Sequence, residues 1–185
     1  MFNLASWSYK KEVRSGRSCM ELFRINHFDP KALESERQRV HSMLAECCLP
    51  GRLIEVGSTA VPGLVGKQDL DFLVLVTAAD FSVARQKLDQ LLDRNPLQLS
   101  NEQYQGYKVK SSMDVAIQLT IEGSPYDTFL GFLECLKVNP EVREKYNRLK
   151  QTYDGKPMHE YREAKSAFIE STLSSRQSRK KEALR

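Results

Sequence analysis

Apolar positions recur at two different periods along this chain, and the switches between them mark out its elements. Leu33, Val40 and Leu44 fall at helical spacing behind Asp29-Pro30, an N-cap followed by proline at the first helical position. They predict a helix that ends near Cys48, before Leu49-Pro50-Gly51. A short β-prone run, Arg52 to Val56, leads into the turn-forming Gly57-Ser58 and a Gly/Pro-rich loop to Gly66. From about Gln68 to Val76 the period becomes two. Asp69, Asp71, Leu73 and Leu75 face one way, and Leu70, Phe72, Val74 and Val76 the other. Both sides are apolar after Asp71, which predicts an interior strand.

Asp80 then caps a predicted helix carrying Val83, Ala84, Leu88, Leu91 and Leu92, broken at Asn95-Pro96. A strand is expected around Tyr104 to Val109. Next, Met113, Val115, Ile117 and Leu119 alternate with Asp114, Ala116, Gln118 and Thr120, so Asp114 belongs to the face away from the apolar set. Ser124-Pro125-Tyr126-Asp127 reads as a helix start with a capping-box pattern, and Asn139-Pro140 as another. Helices are expected over about 125–138, 140–153 and 158–173. The predicted fold is α/β (α+β): a mixed sheet flanked by helices, with a helical C-terminal part. Its domain should span 22–173, between a flexible N-terminal extension, 1–21, and a basic disordered tail, 174–185.

Composition narrows the function classes. The longest apolar stretch, Leu70 to Val76, is far too short to cross a bilayer, and Lys10, Lys11, Glu12, Arg14 and Arg17 interrupt any signal-like core. A membrane role is therefore not expected, and the cytoplasm is. Cys19, Cys47, Cys48 and Cys135 contain no CxxC pair, which points to a reducing compartment and away from a zinc site. The formal charge of +4 is concentrated at the ends of the chain: residues 174–185 carry five basic and one acidic residue, and residues 1–25 five basic and two acidic. The central body has no net basic field for nucleic acid.

Chemistry concentrates between Gly57 and Asp71. Two carboxylates two apart on a strand project to the same side, with Cα atoms roughly 6.5 to 7 Å apart, so their side chains can converge on one small cation. Placed on a strand otherwise rich in Leu, Phe and Val, such like charges raise a pKa or cost stability unless a metal or a basic group neutralises them. The hydroxyls and free backbone N–H groups of a Gly-Ser turn suit phosphate oxygens. Together these features imply phosphate chemistry.

Asp69 and Asp71 follow Ser58 by eleven and thirteen residues, and another acidic residue, Asp114, lies on a later strand. That order resembles the signature of the DNA polymerase β-type nucleotidyltransferase superfamily. Within it, the string GSTAVPGLVGKQDLDFLV is very similar to the GrpB family motif. A looser likeness to the C-terminal part of that family covers Phe129 to Leu173, with Leu136, Asn139-Pro140, Tyr146, Leu149-Lys150, Tyr161, Lys165 and Phe168-Ile169. The chain departs from the family in its first 20 residues, in lacking a Trp near Ala32-Leu33, in a shortened middle, and in having Ser111 to Ile117 where many members have a His-rich strand. It is identified as a divergent member.

The resemblance implies a metal-dependent nucleotidyltransferase acting on an NTP and an unidentified acceptor, which could be a small molecule, RNA or protein. It implies that Asp69 and Asp71 bridge Mg²⁺ or Mn²⁺ ions, that Asp114 completes the metal and catalytic set, and that Gly57, Ser58 and Thr59 hold the triphosphate. Lys67, Lys150 and Lys165 become candidate neutralisers of phosphate charge, and Tyr161 shares a helix face with Lys165. The alternative is a catalytically silent nucleotide- or RNA-binding regulator of the same fold. A third reading uses the C-terminal helices as a homodimer or partner surface. His27, His41 and His159 are scattered and suggest no metal site, and Trp7 and Tyr9, among basic residues, suggest either base stacking or docking on the core.

Overall fold

The computed structural model describes residues 21–27 and 29–182, with side chains as far as Arg176. Trp7, Tyr9, Cys19 and nearly all of the expected N-terminal extension lie outside the described residues. Among the described residues five strands form one sheet in the order β1-β2-β5-β4-β3, from β1 (Arg52–Val56), β2 (Leu70–Val76), β3 (Asp93–Arg94), β4 (Tyr104–Lys108) and β5 (Val115–Ile121). β2 and β5 run parallel at its centre, and β1, β4 and β3 join antiparallel. The expected mixed α/β architecture is therefore present. β2 is the interior strand its apolar run predicts, buried at every position except Asp71.

One face of the sheet packs on α1 (Pro30–Glu46) and α2 (Phe81–Leu91). Here Leu70, Phe72, Val74 and Val76 of β2 and Val115, Ile117 and Leu119 of β5 meet Val40, Leu44, Phe81, Ala84 and Leu88. Asp29 caps α1 as predicted, accepting from the Lys31 N–H at 3.0 Å. The opposite face carries α3 (Thr128–Val138), α4 (Pro140–Tyr153) and α5 (Met158–Glu182). Its apolar cluster joins Val56, Leu73 and Leu75 to Phe132, Leu133, Leu136 and Tyr146. Asn139 caps α4 by accepting from the Glu141 and Val142 N–H groups.

Several boundaries differ from the expectation, each for a local reason. β2 starts at Leu70 and not at Gln68, because Gln68 adopts a left-handed conformation (φ 61) that turns the chain into the strand. Asp80 does not cap α2 through its side chain; its carboxylate accepts from the Thr77 hydroxyl at 2.6 Å. α3 begins at Thr128 and not near 125: Ser124 Oγ accepts from the Tyr126 N–H and Asp127 Oδ2 from the Gly123 N–H, so the capping-box residues are used inside a turn. α5 continues to Glu182, so most of the segment expected to be a disordered tail from 174 is helical. The two-residue β3 was not anticipated.

Residues 21–25 are held to the C-terminal part, and Asn26 to Gly66 and Lys67. Phe23 stacks on Tyr161 with ring centroids 3.7 Å apart, and the Phe23 N–H and carbonyl bond to Lys156 and Gly155. Cys47, Cys48 and Cys135 are free thiols, and no helix among the described residues is long and apolar enough to cross a membrane.

Phe72 is fully buried between the sheet and the first two helices, where few neighbours can collapse into the space it fills. Phe72→Ala is expected to lower unfolding free energy by about 3–5 kcal/mol. Urea unfolding followed by far-UV circular dichroism measures this; a loss under about 1 kcal/mol would contradict the packing.

Candidate active site

Register decides which side chains meet. In the parallel β2–β5 pair Leu70 lies opposite Val115 and Asp71 opposite Ala116. One residue earlier, the Leu70 N–H donates to the Asp114 carbonyl at 2.9 Å, which sets Asp114 beside Asp69 just outside the strand ends. Asp69, Asp71 and Asp114 therefore share the sheet face opposite α1 and α2. All three line a cleft of about 310 Å³ floored by the sheet and walled by α3 and α5.

Asp71 lies deepest among them. Its neighbour across the β1–β2 ladder is Val56, and the next residue, Gly57, has a left-handed backbone (φ 80). A Cβ on Gly57 would stand 2.9 Å from Asp71 Oδ2, so glycine is required for both conformation and space. Burial, then the charges of Asp69 and Asp114, raise the Asp71 pKa from 3.8 to about 7, against the pull of Lys165 and Lys67. Lys67 Nζ sits 3.2 Å from Asp114 Oδ2. Burial opposes its charge, but Asp69 and Asp114 outweigh burial and its pKa is raised. Lys165 comes from α5 and is likewise raised, because Tyr161, Asp71 and Asp69 together overcome its burial.

Of the predicted set, Gly57, Lys67, Asp69, Asp71, Asp114, Tyr161 and Lys165 line the cleft. Ser58, Thr59 and Lys150 stand behind it. The Thr59 hydroxyl donates to the Asp69 carbonyl at 3.2 Å and so steadies the entry to β2. Ser58 packs against Gly66, where an added Cβ would come within 2.6 Å of Ser58 Oγ and 3.4 Å of Lys150 Nζ. Lys150 is 2% exposed and donates to the Val65 carbonyl at 2.5 Å. Burial, then Lys165, lowers its pKa to about 7. Asn147, one turn earlier on α4, accepts from the Val65 N–H and donates to the Gly63 carbonyl. Lys150 thus fastens the 63–66 loop, a role the sequence did not suggest.

Oxygen-only carboxylate donors have the chemistry that a hard divalent cation takes. Asp69 and Asp71 fit such an ion on that ground, and the buried, mutually repelling Asp71 is the group that one would relieve. Asp114 is turned to Lys67. With it so placed, no group of three or more His, Cys, Asp or Glu among the described residues could hold a metal ion. The cleft also includes residues the sequence reading missed: Asn95, Gln98, Tyr104, Gln118, Arg162 and Ser166. Gln118 could have been found, since its alternation puts it on the Asp114 face; Gln98 lies in an irregular segment with no such signal.

Residues 21–175 match the model of the GrpB protein family, and the chain belongs to that family. A UPF0157 protein of Vibrio cholerae serotype O1 is 35% identical over 137 residues, 73% of each chain. Another, from Halalkalibacterium halodurans, is 28% identical over 169 residues, 88% of this chain and 85% of the relative. The crystal structure of conserved protein GrpB from Enterococcus faecalis shares the fold, with a TM-score of 0.56 and 18% identity over 82% of this chain and 95% of that one. The Cid1 poly(U) polymerase bound to MgATP aligns with a TM-score of 0.45 at 12% identity, over 68% of this chain and 42% of that one.

The Asp71 carboxyl gives a sign-definite expectation. Its folded pKa exceeds its ordinary value, so between pH 3.8 and about 7 the folded chain binds more proton than the unfolded chain. The contribution is fully present below 3.8 and is lost as pH rises to about 7. Asp71→Asn removes that dependence, so its stability relative to the parent should improve steadily from pH 4 to pH 8. Urea titrations across this range test it; a constant difference would show that Asp71 is not held protonated by its surroundings.

Proposed function

We propose that this GrpB-family protein is a metal-dependent nucleotidyltransferase that moves a nucleotidyl group from an NTP to an acceptor. The observation that carries the proposal is the meeting of Asp69, Asp71 and Asp114 on one sheet face, in one cleft, beside the left-handed Gly57 turn. A polar, acidic floor fed by two lysines is costly inside a fold unless it meets a charged ligand, and a triphosphate with divalent cations balances it.

In this proposal Asp69 and Asp71 hold Mg²⁺ or Mn²⁺, which when bound draws charge from the reacting phosphate and the pyrophosphate leaving group. Asp71 must ionise, and its carboxyl, raised to about 7, is set to lose its proton near neutral pH as cations arrive. Asp114 exchanges Lys67 for the acceptor side of the site, where it orients the attacking hydroxyl and takes up its proton. Lys67, released from Asp114, and Lys165 face the phosphate charge. Gly57 lines the cleft at the turn where the triphosphate would lie, and Ser58, Thr59 and Lys150, behind the cleft, keep that turn and the 63–66 loop in place. Tyr161, stacked on Phe23, fixes the α5 face that carries Lys165.

One observation favours a second reading. The Lys67–Asp114 ion pair, which occupies the third carboxylate, is what a silent nucleotide- or RNA-binding module of the same fold could keep. The two separate in one assay. The full chain is incubated with each α-labelled NTP and Mg²⁺ or Mn²⁺, with and without cellular RNA or protein extract. Transfer predicts label on an acceptor and release of pyrophosphate, reduced at least about a hundredfold in the Asp69→Asn/Asp71→Asn double variant. Nucleotide binding without any labelled acceptor, unchanged by those substitutions, establishes the binding module instead.

A further inference from the structure

Beyond the carboxylates the cleft floor changes character. Gln118 is one turn of the pleat past Ala116, the cross-strand partner of Asp71, and therefore about 7 Å further along β5 on the same face. It is 5% exposed, lines the cleft, and its Oε1 is buried with no hydrogen-bond partner. Gln98 repeats the pattern from the irregular segment after β3: it lines the same cleft and its Oε1 is also buried and unpartnered.

The two side chains are neighbours at Gly106. Gly106 of β4 is the cross-strand partner of Gln118, and Gln98 Oε1 lies 1.7 Å from where a side chain on Gly106 would begin. Only glycine admits that approach, so Gln98 is laid across the strand directly beside Gln118. The Asn95 N–H donates to the Gly106 carbonyl at 2.8 Å and ties the segment bearing Gln98 to the sheet. Tyr104, the cross-strand partner of Thr120 two residues past Gln118, supplies aromatic surface at this end, and Phe129 near the start of α3 also lines the cleft. A buried unpaired carbonyl costs about 1–3 kcal/mol, and two side by side are rarely kept unless something donates to both.

A primary amino group on a flat ring carries two hydrogens in the right disposition for two such acceptors. We infer that Gln98 and Gln118 receive the exocyclic amino group of a nucleobase, adenine or cytosine, stacked near Phe129 with its phosphates directed towards Asp71. The inference rests on the nucleotide reading above and makes the far end of the cleft its base-selecting end. Inosine and uracil place a carbonyl where adenine and cytosine carry the amino group, and would set oxygen against oxygen.

Isothermal titration of the full chain with ATP, ITP, CTP, UTP and inorganic triphosphate, each with Mg²⁺, tests it. At least one amino-bearing nucleotide should bind about tenfold or more tightly than its oxo counterpart, ATP over ITP or CTP over UTP. Gln118→Met, similar in volume, should bring that ratio below about threefold. The same variant should melt at the parent temperature or above, because it removes an unpaired acceptor without leaving a cavity. Equal affinity for both members of each pair overturns the inference and leaves the nucleotide reading standing. Absence of binding by every nucleotide and by triphosphate overturns both, and a marked drop in melting temperature for Gln118→Met would show a structural bond in place of a ligand contact.

Discussion

The parallel pairing of β2 with β5 is the constraint on which the rest depends. It fixes Leu70 against Val115, and because side chains alternate strictly along a strand, that one register assigns every neighbour to a face. A slip by a single residue would send Asp69 and Asp71 into the apolar layer beneath α1 and α2 and bring Phe72 and Val74 into the cleft. Seven apolar side chains of the two strands lock the register from the buried side. The acidic cluster is thus positioned by hydrophobic packing on the opposite surface, with no need for its own members to attract one another.

They do the reverse. Asp71 is buried beside Asp69 and near Asp114, and the fold meets that repulsion with a raised carboxyl pKa and with Lys67 and Lys165 brought from a loop and a helix. Positive groups differ in how they are used. Lys67 and Lys165 keep their charge because the carboxylates outweigh burial, whereas Lys150 is deep enough for its pKa to fall to about 7. The same residue type therefore serves as counter-charge at the cleft wall and as a hydrogen-bond donor to a loop carbonyl behind it. Burial works against both Lys165 and Lys150; the pull of Tyr161, Asp71 and Asp69 on Lys165, and the repulsion of Lys150 by Lys165, decide which.

These differences explain what could be read from sequence. That Asp69 and Asp71 share a face, and that Asp114 lies off the apolar face of its own strand, followed from alternation, whereas their meeting needed the β2–β5 register; the capped starts of α1 and α4 followed from Asp-Pro and Asn-Pro. The start of α3 did not, because Ser124 and Asp127 satisfy a turn before any helix forms. Nor did the docking of Phe23 on Tyr161, a contact between residues far apart in sequence whose periodicity is not shared by either segment. From sequence Lys150 reads as a candidate counter-charge for phosphate; only the packing of the 63–66 loop over α4 shows it buried behind the cleft and bonded to the Val65 carbonyl.

Three glycines, one lining the cleft and two behind or beneath its lining residues, show how the backbone makes room where side chains cannot. Gly57 lets the β1 turn approach the Asp71 carboxylate, Gly66 lets its loop close over Ser58, and Gly106 lets Gln98 lie across β4. Each missing Cβ places a polar atom against backbone that would otherwise be screened. Such close approaches cost conformational entropy in the unfolded chain and give little apolar burial in return, so they weaken a fold considered alone. Their concentration around one acidic floor, on the face that the register leaves polar, is the pattern of a surface shaped for a ligand, with stability supplied by the apolar layer on the other side of the same two strands.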